Sequence, residues 1–338
     1  MAVVFRDGCD SYGSTADILR KWDANTGWVY NATAGRNGGG ALQCVSSASL
    51  LKSRFGILNN TEVCCAFWVK ISTTPAAAIN FVEYPTIADA SLNKMRLNTS
   101  GQLVCYAANN VTIFATGATN ICDNNWHWIE LRIKHTVSSN GGGSAYVDTV
   151  QQFSSFTNNA NAGNADHITL TGSANATMTI DDFMVWEDTA GGPQLASIPL
   201  GPRQMTTGFP DGDGVVNFSR STGSSNYALV DEQTFDSADY VESGTSGDQD
   251  LYDYAAIATS IASITEVCVN SVLINPNPGT INFQNVGKSG GNTTLGTSTI
   301  TPSSYLTKQT SYPVDPATSA AWASAAAVNS AQFGIKVV

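Results

Sequence analysis

A two-residue hydrophobic period is the feature that most limits what this chain can fold into. Between Thr61 and Ile71, Val63, Cys65, Phe67, Val69 and Ile71 fall on one side, and Glu62, Cys64, Ala66, Trp68 and Lys70 on the other. Trp126–Lys134 repeats the pattern, with His127, Ile129, Leu131 and Ile133 together and Glu130, Arg132 and Lys134 opposite. Successive side chains of a strand point to opposite faces, so this alternation marks half-buried strands. Met95–Leu97 and Leu103–Tyr106 flank Asn98-Thr-Ser-Gly-Gln102, a hairpin signal in which Gly101 supplies the positive φ of a tight turn. Asn140-Gly-Gly-Gly143 joins two further strands in the same way. No long stretch of 3.6-residue period precedes residue 315. Short strands separated by Gly, Asn and Ser turns predict an antiparallel sandwich or jelly roll.

Composition narrows the partners. The 338 residues are 42% hydrophobic but only 13% charged, with 30 glycines, the profile of a turn-rich β protein that packs against neighbours. The net charge is −11, and the 16 lysines and arginines form no cluster. Direct binding to nucleic acid or to an anionic membrane is therefore disfavoured. The first residues show no basic-then-apolar leader, and no run approaches the roughly 18 apolar residues that cross a bilayer. The expectation is a chain made in the cytoplasm. Seven cysteines, two of them adjacent (Cys64 and Cys65), show no C-x-x-C pair, which predicts buried thiols and neither a disulfide framework nor a metal site.

Four motifs follow one another in order: Phe5-Arg-Asp-Gly-Cys-Asp-Ser-Tyr12, Trp126-His-Trp-Ile129, Ser144-Ala-Tyr-Val-Asp-Thr-Val150 and Ile180-Asp-Asp-Phe-Met-Val-Trp186. Their order resembles the concanavalin A-like, laminin-G-type jelly roll, and the opening motif resembles the version found in tailed-phage virion proteins. The resemblance implies a jelly roll over residues 1–192, and Asp188-Thr-Ala-Gly-Gly-Pro193 followed by Gly201-Pro-Arg-Gln-Met-Thr-Thr-Gly-Phe-Pro210 marks a linker over 193–210 before a smaller C-terminal β-sandwich assembly domain over 211–338. Further strands are expected at Ile264–Ile274 and Thr280–Val286. Asp315-Pro316 reads as a helix cap followed by proline at the first position, predicting a helix over Ala317–Ala331 and a final strand over Phe333–Val338. That ending also resembles the C-termini of phage structural proteins.

The function expected from this resemblance is a non-enzymatic structural component of a tailed-phage particle, exposed on the capsid as decoration or on the tail. Its partners would be other virion proteins and copies of itself. The alternative is a carbohydrate-binding module contacting the host cell envelope.

Candidate sites are few. Glycosidases need two carboxyl groups facing each other across a cleft. Glu62, Glu83 and Glu130 stand alone in the sequence, and strand alternation puts Asp181 and Asp182 on opposite faces. His127, His135 and His167 have no Gly-x-Ser-x-Gly elbow near them. No catalytic residue is expected. The laminin-G resemblance implies calcium, with Asp7, Asp10, Asp181 and Asp182 as candidate oxygen ligands or as turn caps. Asp211-Gly-Asp-Gly214 reads as a turn. Trp22, Trp28, Tyr30 and Trp68 are candidate glycan platforms, against core packing as the competing role for each.

Overall fold

A computed structural model describes residues 3–44, 49–54, 62–86, 88, 92–107, 111–135, 141–158, 164–187, 198–261, 263–277 and 279–338. The expected turn residues Asn140 and Asp188–Pro193 lie outside these. Contacts divide the chain into two units, Met1–Met205 and Thr206–Val338.

Unit 1 is a jelly-roll sandwich of two antiparallel sheets. The larger runs Val150–Asn158, Gly141–Val147, Trp126–Lys134, Glu62–Ile71, Met178–Glu187, Ala41–Cys44 and Trp28–Asn31, with Val3–Asp7 also paired to Met178–Glu187. The second runs Ile113–Thr116, Leu103–Tyr106, Lys94–Leu97, Ile79–Glu83, His167–Thr171, Leu50–Arg54 and Ala24–Thr26. The sequence alternation sets the register: Ile129, Leu131 and Ile133 lie directly across from Phe67, Cys65 and Val63. All six enter one core together with Phe81, Met95, Leu97 and Leu170 of the second sheet. Aromatic edges lock its centre, with Phe5 at 4.7 Å from Trp22, Phe67 at 5.2 Å from Phe183 and Phe67 at 5.7 Å from Phe81 between ring centroids. Truncating such a ring to alanine costs about 3–5 kcal/mol.

The opening motif folds around one buried carboxylate. Asp7, 1% exposed, accepts the Cys9 N–H at 3.0 Å, the Trp22 indole N–H at 2.7 Å and the Lys21 ammonium at 3.2 Å, and it also takes the Tyr12 hydroxyl. Cys9 turns into the left-handed region at φ 61° to reach it. A buried carboxylate must be hydrogen-bonded, and this one draws its own chain segment into shape.

The other face of the larger sheet is also covered. Cys64, Ala66, Trp128 and Trp186, which alternation places away from the core, are buried in a second cluster with Ile198, and Leu200 packs against it. Residues 198–205, expected in a linker, therefore belong to unit 1, and its boundary falls at Met205 rather than 192. The physical reason is the composition of that face, which carries too much aromatic surface to remain in water.

Unit 2 is a smaller β structure. Its six-stranded sheet runs Pro210–Val216, Gln249–Tyr254, Gln332–Val337, Asn282–Ser289 and Asn292–Leu295, with Thr299–Ile300 also paired to Asn282–Ser289. The expected Asp211–Gly214 turn is thus part of a strand. A two-stranded ribbon, Val267–Leu273 with Leu306–Tyr312, is tied to the sheet by Asn285. Its amide donates to the Val269 and Lys308 carbonyls, each at 3.3 Å, and its oxygen accepts the Ser271 hydroxyl at 2.7 Å. Val269, Tyr312, Trp322, Ala331 and Phe333 fill the core beneath.

The C-terminal helix is far shorter than the alanine content predicts. It spans Ala325–Asn329, with Ser324 as its cap. Asp315 instead closes a tight turn, its side chain accepting the Ala317 N–H at 2.9 Å and its carbonyl the Ser319 N–H at 2.8 Å. Ser319 sits at φ 55°, which no helix accommodates. Trp322 is drawn into the core with its indole N–H on the Tyr312 carbonyl at 2.8 Å, so tertiary anchoring overrides alanine's propensity. The final strand, Gln332–Val337, lies inside the sheet.

A fragment ending at residue 205 should unfold cooperatively. One ending at residue 191 lacks the cover over Trp128 and Trp186 and should melt earlier and bind a hydrophobic dye. Equal melting temperatures by calorimetry would show that the cover contributes nothing.

Candidate functional site

The outer face of the larger sheet carries the densest chemistry in unit 1. Strand register lays out one row as Arg6, Met184, Ala66, Glu130 and Tyr146. Trp68 and Trp128 lie across from each other in the next. Trp128 and Trp186 are wholly buried, whereas Trp68 and Tyr146 remain half-buried at the border of the cluster. Trp68 is held rigidly. Its ring lies 5.6 Å from that of Trp128, the Arg36 guanidinium sits 4.4 Å from its centroid, and its indole N–H donates to the Arg203 carbonyl at 2.8 Å. At the far end of the same strand, Glu62 accepts Arg132 at 2.5 Å and Lys134 at 2.8 Å.

Glu130 anchors the covering segment. It is 0% exposed and accepts the Trp128 indole N–H at 2.8 Å and the backbone N–H groups of Leu200 at 2.5 Å and Gly201 at 2.9 Å. Nothing local to Glu130 announces this role, because two of its donors come from residues 70 positions or more away in the chain. Arg36 and Tyr146 are likewise functional candidates that the sequence reading missed. Glu83, the other isolated carboxylate, belongs to the second sheet, so it does not join Glu130.

Asp10, Asp181 and Asp182 gather at the edge of this face. A register shift between Asp181 and Met184, with Asp182 at φ 52°, inserts one extra residue, so Ile180 and Phe183 both point to the core. The two aspartates consequently lie close together and not on opposite faces. Asp181 accepts the Arg36 N–H at 2.9 Å and the Asp182 N–H at 2.8 Å, Asp182 accepts the Met205 N–H at 2.7 Å, and Asp10 accepts the Gly40 N–H at 2.8 Å. Burial pushes the Asp181 carboxyl up to about 6. Burial, then the charge of Asp181, pushes Asp182 up to about 8. As candidate calcium ligands these residues fit poorly. Asp7 is spent on four donors inside the fold, the other three hold backbone N–H groups, and among the described residues no three His, Cys, Asp or Glu side chains are arranged to hold a metal ion. In this geometry they fasten loops.

The glycan candidates separate cleanly. Trp22 and Trp28 are each 1% exposed and offer no ring to a ligand, because both fill the core. Tyr30 is half-buried against Tyr12, 5.8 Å away, and Trp68 is half-buried on the outer face. His127 is no nucleophile's base. Its ring nitrogens meet Asp148 at 2.7 Å and Asp123 at 3.0 Å, and although burial lowers its pKa, these carboxylates raise it on balance.

No family model matches this chain, and no curated protein does. Solved structures do. An endo-β-1,4-glucuronan lyase from the fungus Trichoderma reesei is similar with a TM-score of 0.44 and 12% identity, over 55% of this chain and 96% of that one. The Trypanosoma rangeli sialidase in complex with the inhibitor DANA is similar with a TM-score of 0.34 and 16% identity, over 47% of this chain and 27% of that one. Domain 4 of the arabinanase AbnA from Geobacillus stearothermophilus, in complex with arabinotriose, is similar with a TM-score of 0.34 and 16% identity, over 47% of this chain and 75% of that domain. Identities this low speak to the fold alone, and strand order and register define the jelly roll. None of the three is a virion protein. The expectation that the chain is not an enzyme is corrected, because a lyase and a sialidase stand among the structures it resembles.

The aspartate pair generates a pH dependence. Asp182 has an ordinary value of 3.8 and a folded value of about 8, so its favourable contribution is full below 3.8 and lost as pH rises towards 8. Asp181 adds the same sign up to about 6. Unit 1 should therefore lose stability from about pH 4 to about pH 8, most steeply below about pH 6 where both carboxyls contribute. Asp182→Asn, which tolerates the positive φ and keeps an acceptor for Met205, should flatten most of that slope in denaturant titrations. An unchanged slope would refute the assignment.

Proposed function

We propose that unit 1 is a carbohydrate-binding jelly roll whose ligand is a glycan of a host cell envelope. The observation that carries this reading is Trp68. It is half-buried on a sheet face, with its N–H bonded to the Arg203 carbonyl and the Arg36 guanidinium lying over its ring. A sugar ring stacks its C–H face on such a platform and takes hydrogen bonds from polar side chains at the rim. Because Trp68 is already ordered, binding forfeits little side-chain entropy. Tyr146 provides a second half-buried aromatic on the same face. The virion setting comes from the resemblance of the opening and closing motifs, and such a setting places a glycan-reading face opposite a cell envelope.

The test is calorimetric titration of the full chain with oligosaccharides from host capsule and lipopolysaccharide, backed by a glycan array. Binding should be lost or weakened at least tenfold, about 1.4 kcal/mol, in Trp68→Ala and in Tyr146→Ala. Tyr30→Ala, away from this face, should bind like the wild type. Absence of any glycan ligand, or unchanged affinity in Trp68→Ala, would overturn the reading.

A further inference from the structure

Lys94 is the outlier among the buried side chains of unit 1. It is 1% exposed, and lysine is almost never fully buried unless paired. Its ammonium lies 2.8 Å from Glu83 Oε1, and the Asn80 amide Nδ2 donates to that same oxygen at 3.2 Å. A lysine nitrogen and an asparagine carboxamide are thus held on one carboxylate oxygen.

The backbone explains the juxtaposition. Glu83 and Lys94 are direct partners across the antiparallel strands Ile79–Glu83 and Lys94–Leu97. In a regular strand, residues three apart point to opposite faces. The register shifts between Ile79 and Val82, and Phe81 and Val82 are both in the core. That irregularity resets the alternation and brings Asn80 to the same side as Glu83.

We propose that Lys94 and Asn80 form an intramolecular isopeptide bond, with Glu83 as the proton carrier. Glu83 accepts a proton from the Lys94 ammonium, which frees the Nζ lone pair to attack Asn80 Cγ. The tetrahedral adduct collapses as the Cγ–Nδ2 bond breaks. The proton on Glu83, followed by the second proton of the attacking nitrogen, passes to Nδ2, which leaves as ammonium. Glu83 returns to carboxylate, and the products are one Nζ–Cγ amide and one ammonium ion, with no oxidant or cofactor. Positioning supplies much of the acceleration, because both groups are held on the same Glu83 oxygen and oriented groups react as though at very high concentration. The bond would staple neighbouring strands of the second sheet covalently.

Intact-mass measurement on the full, denatured chain decides it. The folded wild-type protein should fall short of its sequence mass by one ammonia. Fragmentation of a digest should place the loss in a branched peptide joining Asn80 to Lys94, with trypsin failing to cut after Lys94. The branched peptide separates this from a succinimide at Asn37-Gly38, which loses the same mass. Lys94→Arg, Asn80→Ala and Glu83→Gln should each carry the full sequence mass. If the wild type carries its full mass, or trypsin cleaves freely after Lys94, the proposal is wrong, whatever the variants do.

Discussion

Trp128 and Trp186 put a large apolar area on the outer side of a sheet whose inner side already faces a core, and Glu130 sits among them with a charge. Such a sheet needs cover on both faces. Residues 198–205 supply the outer cover, and Glu130 binds it with three N–H donors, one from an indole and two from the covering backbone. A carboxylate in that setting would be costly if it lost those donors, so the same interaction that satisfies the charge also fixes the path of the chain. The border of unit 1, the rigid seat of Trp68 and the anchoring of Asp182 by Met205 all follow from where this segment lies.

The pattern recurs in unit 2. Asp250 is fully buried and accepts the N–H groups of Asn217 and Phe218, each at 2.8 Å, the Tyr252 hydroxyl at 3.1 Å and the Asn226 amide. Asp7 does the same for the opening strand of unit 1. A chain with only 13% charged residues spends several of its carboxylates as internal fasteners. Charge-assisted hydrogen bonds are about twice as strong as neutral ones, and they are directional, which suits irregular segments that lack a sheet ladder.

The sheet skeleton was legible because it depends on a local period. Val63 through Ile71 and Ile129 through Ile133 report their faces within a single strand. Glu130 shows the limit of that signal. Alternation marks it as facing away from the core, but whether that side is wet depends on residues 198–205, which no strand-level pattern connects to it. Asp181 and Asp182 were misplaced because a one-residue bulge reverses parity without a distinctive sequence. The alanine run after Asp315 misled for a related reason, since Trp322 and Phe333 have to reach the core and a continuous helix would not deliver them. Among the aromatic candidates, residue type alone could not separate Trp22 and Trp28, which pack, from Trp68, which stays at the surface.

The functional reading depends on the covered face being a fixed feature of the native state. Amide hydrogen exchange reports that directly. The N–H groups of Leu200 and Gly201 should exchange as slowly as those of the central strand Glu62–Ile71, and Glu130→Ala should release them while leaving the central strand protected. Fast exchange of both amides in the wild type, or protection that survives Glu130→Ala, would contradict the account.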